Sequence, residues 1–192
     1  PIVETLEKAF GVKASEYRGD VSLTIPLEQV VPACQKVKDL GFELLSAMTA
    51  TDYWPQQTPR FHVIYQLSSL ARNTRIQLRV PVDGFDPRIP TATGVYEVAN
   101  WREREIKDMF GIIPEGHPDP RIILLPEDWD DKHPLRKDFP LTGFVEVRYD
   151  DEQKRVVYEK VRLAQEFRTF DFLSPWEGTD YVLPGDEKAK EK

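Results

Sequence analysis

The chain has 192 residues, with 26 lysines and arginines against 33 aspartates and glutamates, and its formal net charge of −7 argues against a nucleic-acid ligand, which selects a concentrated basic face. Mean hydropathy is −0.50 and no run approaches the roughly 20 apolar residues a membrane span requires. A single cysteine, Cys34, excludes an internal disulfide and any cysteine-ligated iron–sulfur cluster built by this chain alone.

This length suits one domain of about 140 residues plus an extension. The early acids Glu4, Glu7, Glu16 and Asp20 carry the wrong charge for a transit peptide. A short helix is expected over residues 2–10, with Val3, Leu6 and Phe10 on one side and Gly11 as its stop. Val21 to Ile25 alternates as a strand. Pro26 then opens a second helix in which Leu27, Val30, Val31, Cys34, Val37 and Leu40 recur at helical spacing, so Cys34 reads as core. Strands follow over Phe42–Ala50, Arg60–Ser68 and Arg75–Val80, the last with Ile76, Leu78 and Val80 inward. His62 falls on the outer phase and reads as a solvent-facing or edge-strand residue.

From Thr91 to Phe110 the pattern predicts a helix with Val95, Val98 or Ala99, Ile106 and Met109 on one face. Glu103 with Lys107, and Arg104 with Asp108, stand i,i+4 and are expected to pair on its surface. Trp101 reads as core, and Trp54, Trp129 and Trp176 as core or interface anchors. The order α, β, α, β, β, β, α gives an α+β fold, helices packed on a largely antiparallel sheet. An extended proline-rich C-terminal ribbon follows, with a hairpin over Phe144–Tyr149 and Arg155–Val161. The expected boundaries are a core domain over 1–111, an extended subunit-docking segment over 112–184 and a disordered polar tail over 185–192.

The ribbon itself lacks periodicity for about thirty residues and holds six of the sixteen prolines. Ile112, Ile113, Ile122, Ile123, Leu124, Leu125, Trp129, Leu135 and Phe139 argue against disorder and for a segment laid on another surface. Glu115, His117, Asp119, His133 and Asp138 raise a metal-site reading, since histidine and carboxylates ligate zinc or iron. Against it, His117 and His133 lie sixteen residues apart without i,i+4 partners, and each precedes proline, which biases the backbone to extended conformations. The reading adopted is that each imidazole hydrogen-bonds neighbouring backbone or carboxylate and fixes a turn. Glu103 and Glu105 do not converge on one substrate, because neighbouring helical residues point about 100° apart. Arg136-Lys137-Asp138 reads as an ion-pair contact to a partner. No nucleotide loop is present.

The ordered run Glu103-Arg104-Glu105, Asp108-Met109-Phe110-Gly111, Gly116-His117-Pro118-Asp119, Arg121-Ile122-Ile123-Leu124 and His133-Pro134-Leu135-Arg136-Lys137-Asp138-Phe139-Pro140-Leu141 resembles the 30 kDa subunit family of respiratory complex I, the C subunit of bacterial NADH-quinone oxidoreductase. The likeness continues through Gly143–Asp151 to Phe170-Asp171 and Ser174-Pro175-Trp176-Glu177. Two positions depart from the pattern: Lys132 where glycine is usual, and Pro120 where an apolar residue is usual. The resemblance implies a non-catalytic structural subunit of the hydrophilic arm, docked on the large 49 kDa-like (D) subunit near the quinone site. It implies no catalytic, cofactor or metal residue in this chain, with FMN and iron–sulfur clusters held by partner subunits. Membrane association would come only through the complex, at the cytoplasmic side of the bacterial cell membrane or the matrix side of the mitochondrial inner membrane. The family-motif residues expected at the subunit interface are Glu103, Arg104, Glu105, Asp108, His117, Asp119, Arg121, His133, Arg136, Lys137, Asp138 and Trp176.

Two other readings stand beside it. One keeps the family and changes the electron donor, as in photosynthetic-type complexes, F420H2 dehydrogenases and energy-converting hydrogenases. The other is a free-standing metal-dependent hydrolase using His117, His133 and the nearby acids.

Overall fold

The structure is a computed structural model that describes residues 2–130 and 132–165. Its described part falls into two compact units, one running through Leu141 and the other from Thr142 onward. The first thirty residues of the ribbon therefore belong with the sheet and helices. The polar tail over 185–192 and Trp176 lie outside the described residues.

In the first unit, α1 (Ile2–Phe10) buries Leu6, and its Glu7 carboxylate accepts the Ala14 N–H at 2.8 Å. A hairpin of β1 (Ala14–Tyr17) and β2 (Asp20–Thr24) follows. Strand β1 departs from the sequence expectation, because Ala-Ser-Glu-Tyr is short, mostly exposed and carries no apolar alternation. After a 3-10 turn at Leu27–Gln29 comes α2 (Val30–Asp39), which buries Val30, Ala33, Cys34 and Val37. Pro32 is tolerated because the first helical turn needs no N–H from it. Cys34 is core as expected, and burial pushes its thiol up to about 12.

Strands β3 (Leu44–Asp52), β4 (Phe61–Ser69) and β5 (Thr74–Val82) complete a five-stranded sheet in the order β1-β2-β5-β4-β3. Only β2 and β5 run parallel, so the sheet is largely antiparallel. Period-two alternation sends Phe61, Val63, Tyr65 and Leu67 of β4 and Ile76, Leu78 and Val80 of β5 inward. Each such burial stabilises by about 1.5–3 kcal/mol. His62 faces outward as expected, but it sits on an interior strand flanked by β3 and β5 rather than at an edge.

The last helix, α3 (Ala99–Phe110), begins eight residues later than the apolar pattern implies. Thr91 and Ala92 cannot join it because they bind the Glu103 carboxylate, and residues 92–98 form turns around Gly94. The buried stripe is Ala99, Glu103, Ile106 and Phe110. Trp101 is 57% exposed and not core, because it lies about 200° round the helix from Glu103. Short strands β6 (Arg88–Pro90) and β7 (Ile113–Glu115) pair in parallel beside it. No helix among the described residues is long and apolar enough to cross a membrane.

The second unit contains the expected hairpin, β8 (Val145–Asp150) with β9 (Arg155–Lys160). Its register places Val147 opposite Tyr158 and Tyr149 opposite Val156, an exposed apolar face.

Candidate functional site

The family-motif residues gather around α3 and the ribbon that follows it. At the start of the helix, Glu103 is buried, and burial pushes its carboxyl above the usual range. Opposing that shift, the Thr91 hydroxyl and the Ala92 N–H each donate to it at 2.6 Å, and His117 Nε2 stands 3.9 Å away. The Asp119 N–H donates to His117 Nδ1 at 3.0 Å, so the ring proton sits on Nε2, which donates to the Asn100 carbonyl at 3.0 Å. His117 thus fixes the turn of its own loop.

Along the helix the expected i,i+4 pairs do not form. Arg104 Nε donates to the Arg121 carbonyl at 2.8 Å and Nη2 to the Ile122 carbonyl at 3.3 Å, with Asp119 at 3.7 Å. Lys107 Nζ donates to the Pro120 carbonyl. Buried Asp108 accepts the N–H groups of Ile123 and Leu124 at 2.9 and 2.8 Å. The ribbon carries backbone polar groups with no ladder of their own, and each is a stronger claim on a helix charge than a solvated neighbour is. Glu105 pairs with Arg102 at 3.0 Å instead, and exposed Arg121 pairs with Asp119 at 2.8 Å.

A helix leaves its last four carbonyls without intrahelical donors, and here all four are satisfied. The Gly111 N–H donates to the Lys107 carbonyl, His133 Nδ1 to that of Asp108 at 3.0 Å, the Leu135 N–H to that of Met109 at 3.1 Å, and Arg136 Nε to that of Phe110 at 2.6 Å. The segment His133-Pro134-Leu135-Arg136 is therefore a helix C-cap supplied from more than twenty residues downstream. Its next residues reach the sheet. The Lys137 N–H donates to Asp52 Oδ2 at 2.9 Å, and Asp138 pairs with Arg60 at 2.9 Å. Arg60 in turn grips Asp52 with two bonds of 2.9 Å, and the Trp54 N–H donates to the same carboxylate. Burial alone would raise Asp52, but the Arg60 guanidinium and the two backbone N–H groups outweigh it and hold the carboxyl below its usual range. The Arg60 and Arg136 guanidinium groups both lie over the Phe61 ring, at 5.0 and 5.4 Å.

Sequence reasoning does not single out Asp52 and Arg60. A signal exists: Asp52 occupies the inward phase of β3 set by Met48 and Ala50, where a carboxylate demands a partner. As for the metal reading, His117 bonds near the start of α3 and His133 near its end, about 12 Å apart along the axis for eight residues of rise. The two histidines do not converge. What the arrangement does is lock the ribbon's backbone while its apolar side chains point away: Ile122, Ile123, Leu124, Trp129 and Leu135 remain 37–54% exposed.

The family described as the respiratory-chain NADH dehydrogenase 30 kDa subunit matches residues 23–145. The C subunit of NADH-quinone oxidoreductase from Rhizobium rhizogenes is 52% identical over 183 residues, covering 93% of this chain and 90% of that protein. Its Brucella abortus counterpart, of the same name, is 54% identical over 175 residues, covering 90% and 85%. Among solved structures, a trypsin-resistant fragment of Nqo5 is 35% identical with a TM-score of 0.56, covering 62% of this chain and 96% of the fragment. A chain of the membrane-bound sulfane sulfur reductase, an archaeal respiratory membrane complex, is 26% identical with a TM-score of 0.62, covering 73% and 84%.

Proposed function

The chain belongs to the 30 kDa subunit family of the respiratory-chain NADH dehydrogenase and is a subunit of the NADH-quinone oxidoreductase complex, within which we propose that it supplies docking surface and positional rigidity while partner subunits carry the FMN and iron–sulfur clusters. In this reading its chief partner is the 49 kDa-like subunit, and the complex holds it at the cytoplasmic side of the membrane. The observation that carries the proposal is the ribbon: its backbone is tied to α3 and the sheet, yet a row of large apolar side chains faces outward. Large apolar side chains left exposed along one segment in this number mark a candidate protein interface. The hairpin of the second unit adds a second such group in Val145, Val147, Tyr149, Val156 and Tyr158. A lone two-stranded hairpin is only marginally stable in water, so a partner surface that covers this face also stabilises it.

Arg136 is a poor probe of docking, because its guanidinium caps α3 internally. Trp129 and Leu135 are better, since 38% and 54% of their surface remains exposed. Changing both to serine should remove about 3 kcal/mol of docking energy and lower assembled complex on a native gel by on the order of 100-fold at limiting subunit. NADH–quinone turnover per assembled complex should stay within about two-fold. Normal assembly with turnover lost would mean that the ribbon takes part in chemistry. The sulfane sulfur reductase likeness keeps the other-donor reading in view, but relatives above 50% identity over nine-tenths of the chain favour the NADH-linked complex.

The same geometry sets where the isolated chain yields to protease. Lys107 and Arg121 lie in the locked region, so trypsin should leave a fragment ending beyond Lys137 rather than near Phe110. Mass spectrometry that finds early cuts at Lys107 or Arg121 would contradict it.

A further inference from the structure

Among the described residues, the core with its helices packs on the face of the five-stranded sheet that carries the inward residues of β4 and β5. On the other face, strand register places Thr24, Arg79, Ile64 and Thr49 side by side in one row across β2, β5, β4 and β3. Ile64 is not among the apolar residues packed on the core, although it lies on the interior strand β4. Beside it Arg79 is a half-buried cation. Its Nη2 donates to the Tyr53 hydroxyl at 2.8 Å, and Tyr53 in turn lies against the His62 ring at 4.9 Å between centroids. Among the described residues no carboxylate comes within ion-pair distance of Arg79, whereas Arg60, Arg75 and Arg88 each have one. Among the described residues, Arg79 Nε and His62 Nδ1 are both buried without a hydrogen-bond partner. Burial and the neighbouring Arg79 charge lower the pKa of His62, which leaves the cluster a net cation on a chain of net charge −7.

We propose that this row is a second docking surface, distinct from the ribbon, and that its occupant is a segment of another subunit whose aspartate or glutamate pairs with Arg79 while an adjacent apolar side chain seats on Ile64. The proposal rests on the chain working inside an assembly, but not on the ribbon being the interface. Charge complementarity selects the carboxylate: a half-buried guanidinium whose described side-chain partner is a neutral hydroxyl gains from a bidentate carboxylate. The flatness of the row selects a polypeptide. Two threonines, an isoleucine and an arginine in one row across four strands give no walls to enclose a free anion, but they match a broad protein surface.

The test uses the native complex. A photo-crosslinking benzoylphenylalanine at Gln77, on the same outer face one row along, should join this chain to a peptide of another subunit that contains an acidic residue. Arg79→Glu should lower assembled complex at least tenfold, Arg79→Lys should retain most of it, and reversing the crosslinked partner's acid to arginine should restore Arg79→Glu. Thr49→Trp fills the exposed row without touching the buried cluster, and should block assembly while the isolated chain melts within a few degrees of the parent. This variant and the crosslink decide the matter if Arg79→Glu does not fold. The proposal is overturned by normal assembly of Thr49→Trp or of Arg79→Glu, by a crosslink to residues 166–192 of this same chain, by a partner peptide without an acid, or by no crosslink at all. Because Trp129 and Leu135 lie on the ribbon, loss of assembly in their serine variants reports on the first surface alone.

Discussion

Replacing Gly111 with alanine is expected to destabilise the chain by about 3 kcal/mol and to lower its melting temperature by on the order of 10 °C. Gly111 ends α3 in the left-handed conformation at φ +71°, which costs a residue with a Cβ about 1 kcal/mol. The larger part comes from what the new methyl would meet. It would stand 2.3 Å from His133 Nε2 and 2.5 Å from Arg136 Nη2, so both side chains must move. Neither moves freely, because each caps a carbonyl of α3. Pushing them out exposes the helix end and loosens the Leu135 N–H from Met109. Gly143 is the control, with φ +74° and nothing within 4 Å of an added Cβ. Its alanine variant should lose only the conformational penalty. Calorimetry on both variants, with hydrogen exchange at Leu135 for the first, separates the two contributions. Equal melting temperatures would show that the cradle around Gly111 contributes nothing.

That cap also shows where sequence reasoning stops. Elements held by local periodicity are legible: α1, α2, β4, β5 and the β8–β9 hairpin all carry their own apolar pattern, and each lies within a few residues of its expected bounds. The helix C-terminus at Gly111 is legible too, because its signal is one residue. What is illegible is long-range polar pairing. Glu103 and Asp108 look like the acidic members of surface i,i+4 pairs, yet both are buried and serve backbone N–H groups of segments elsewhere in the chain. The start of α3 is hidden for the same reason, since apolar Val95 and Val98 continue a helical pattern that the Thr91 and Ala92 bonds to Glu103 interrupt. The expected role of His117 in fixing its own turn matches the bond it accepts from the Asp119 N–H, whereas His133 bonds the Asp108 carbonyl twenty-five residues back and caps α3 instead. Asp52 with Arg60 escapes notice because its third and fourth partners, Lys137 and Asp138, lie about eighty residues away.

The clasp at Asp52 makes the other large prediction. Asp52→Ala is expected to cost about 3–5 kcal/mol, the range for removing one partner of a buried ion pair. Arg60 would keep only the half-exposed Asp138, and the Trp54 and Lys137 N–H groups would lose their acceptor. Arg60→Met should cost less, because the Asp52 carboxylate retains those two backbone donors. The ordering distinguishes a carboxylate that organises four donors from a simple pair of charges. Acid provides a second readout. The folded carboxyl sits below its unfolded value near pH 4, so added protons bind the unfolded chain first, and the stabilisation present above about pH 4 declines as pH falls through the folded pKa. Asp52→Asn lacks that titration. Its urea midpoint should lie well below the parent's at pH 7, and the gap should narrow below about pH 4. A gap that stays constant from pH 7 down to pH 3 would mean that the charge of Asp52 does not hold the ribbon to the sheet. The loss in the alanine variant would then come from packing alone.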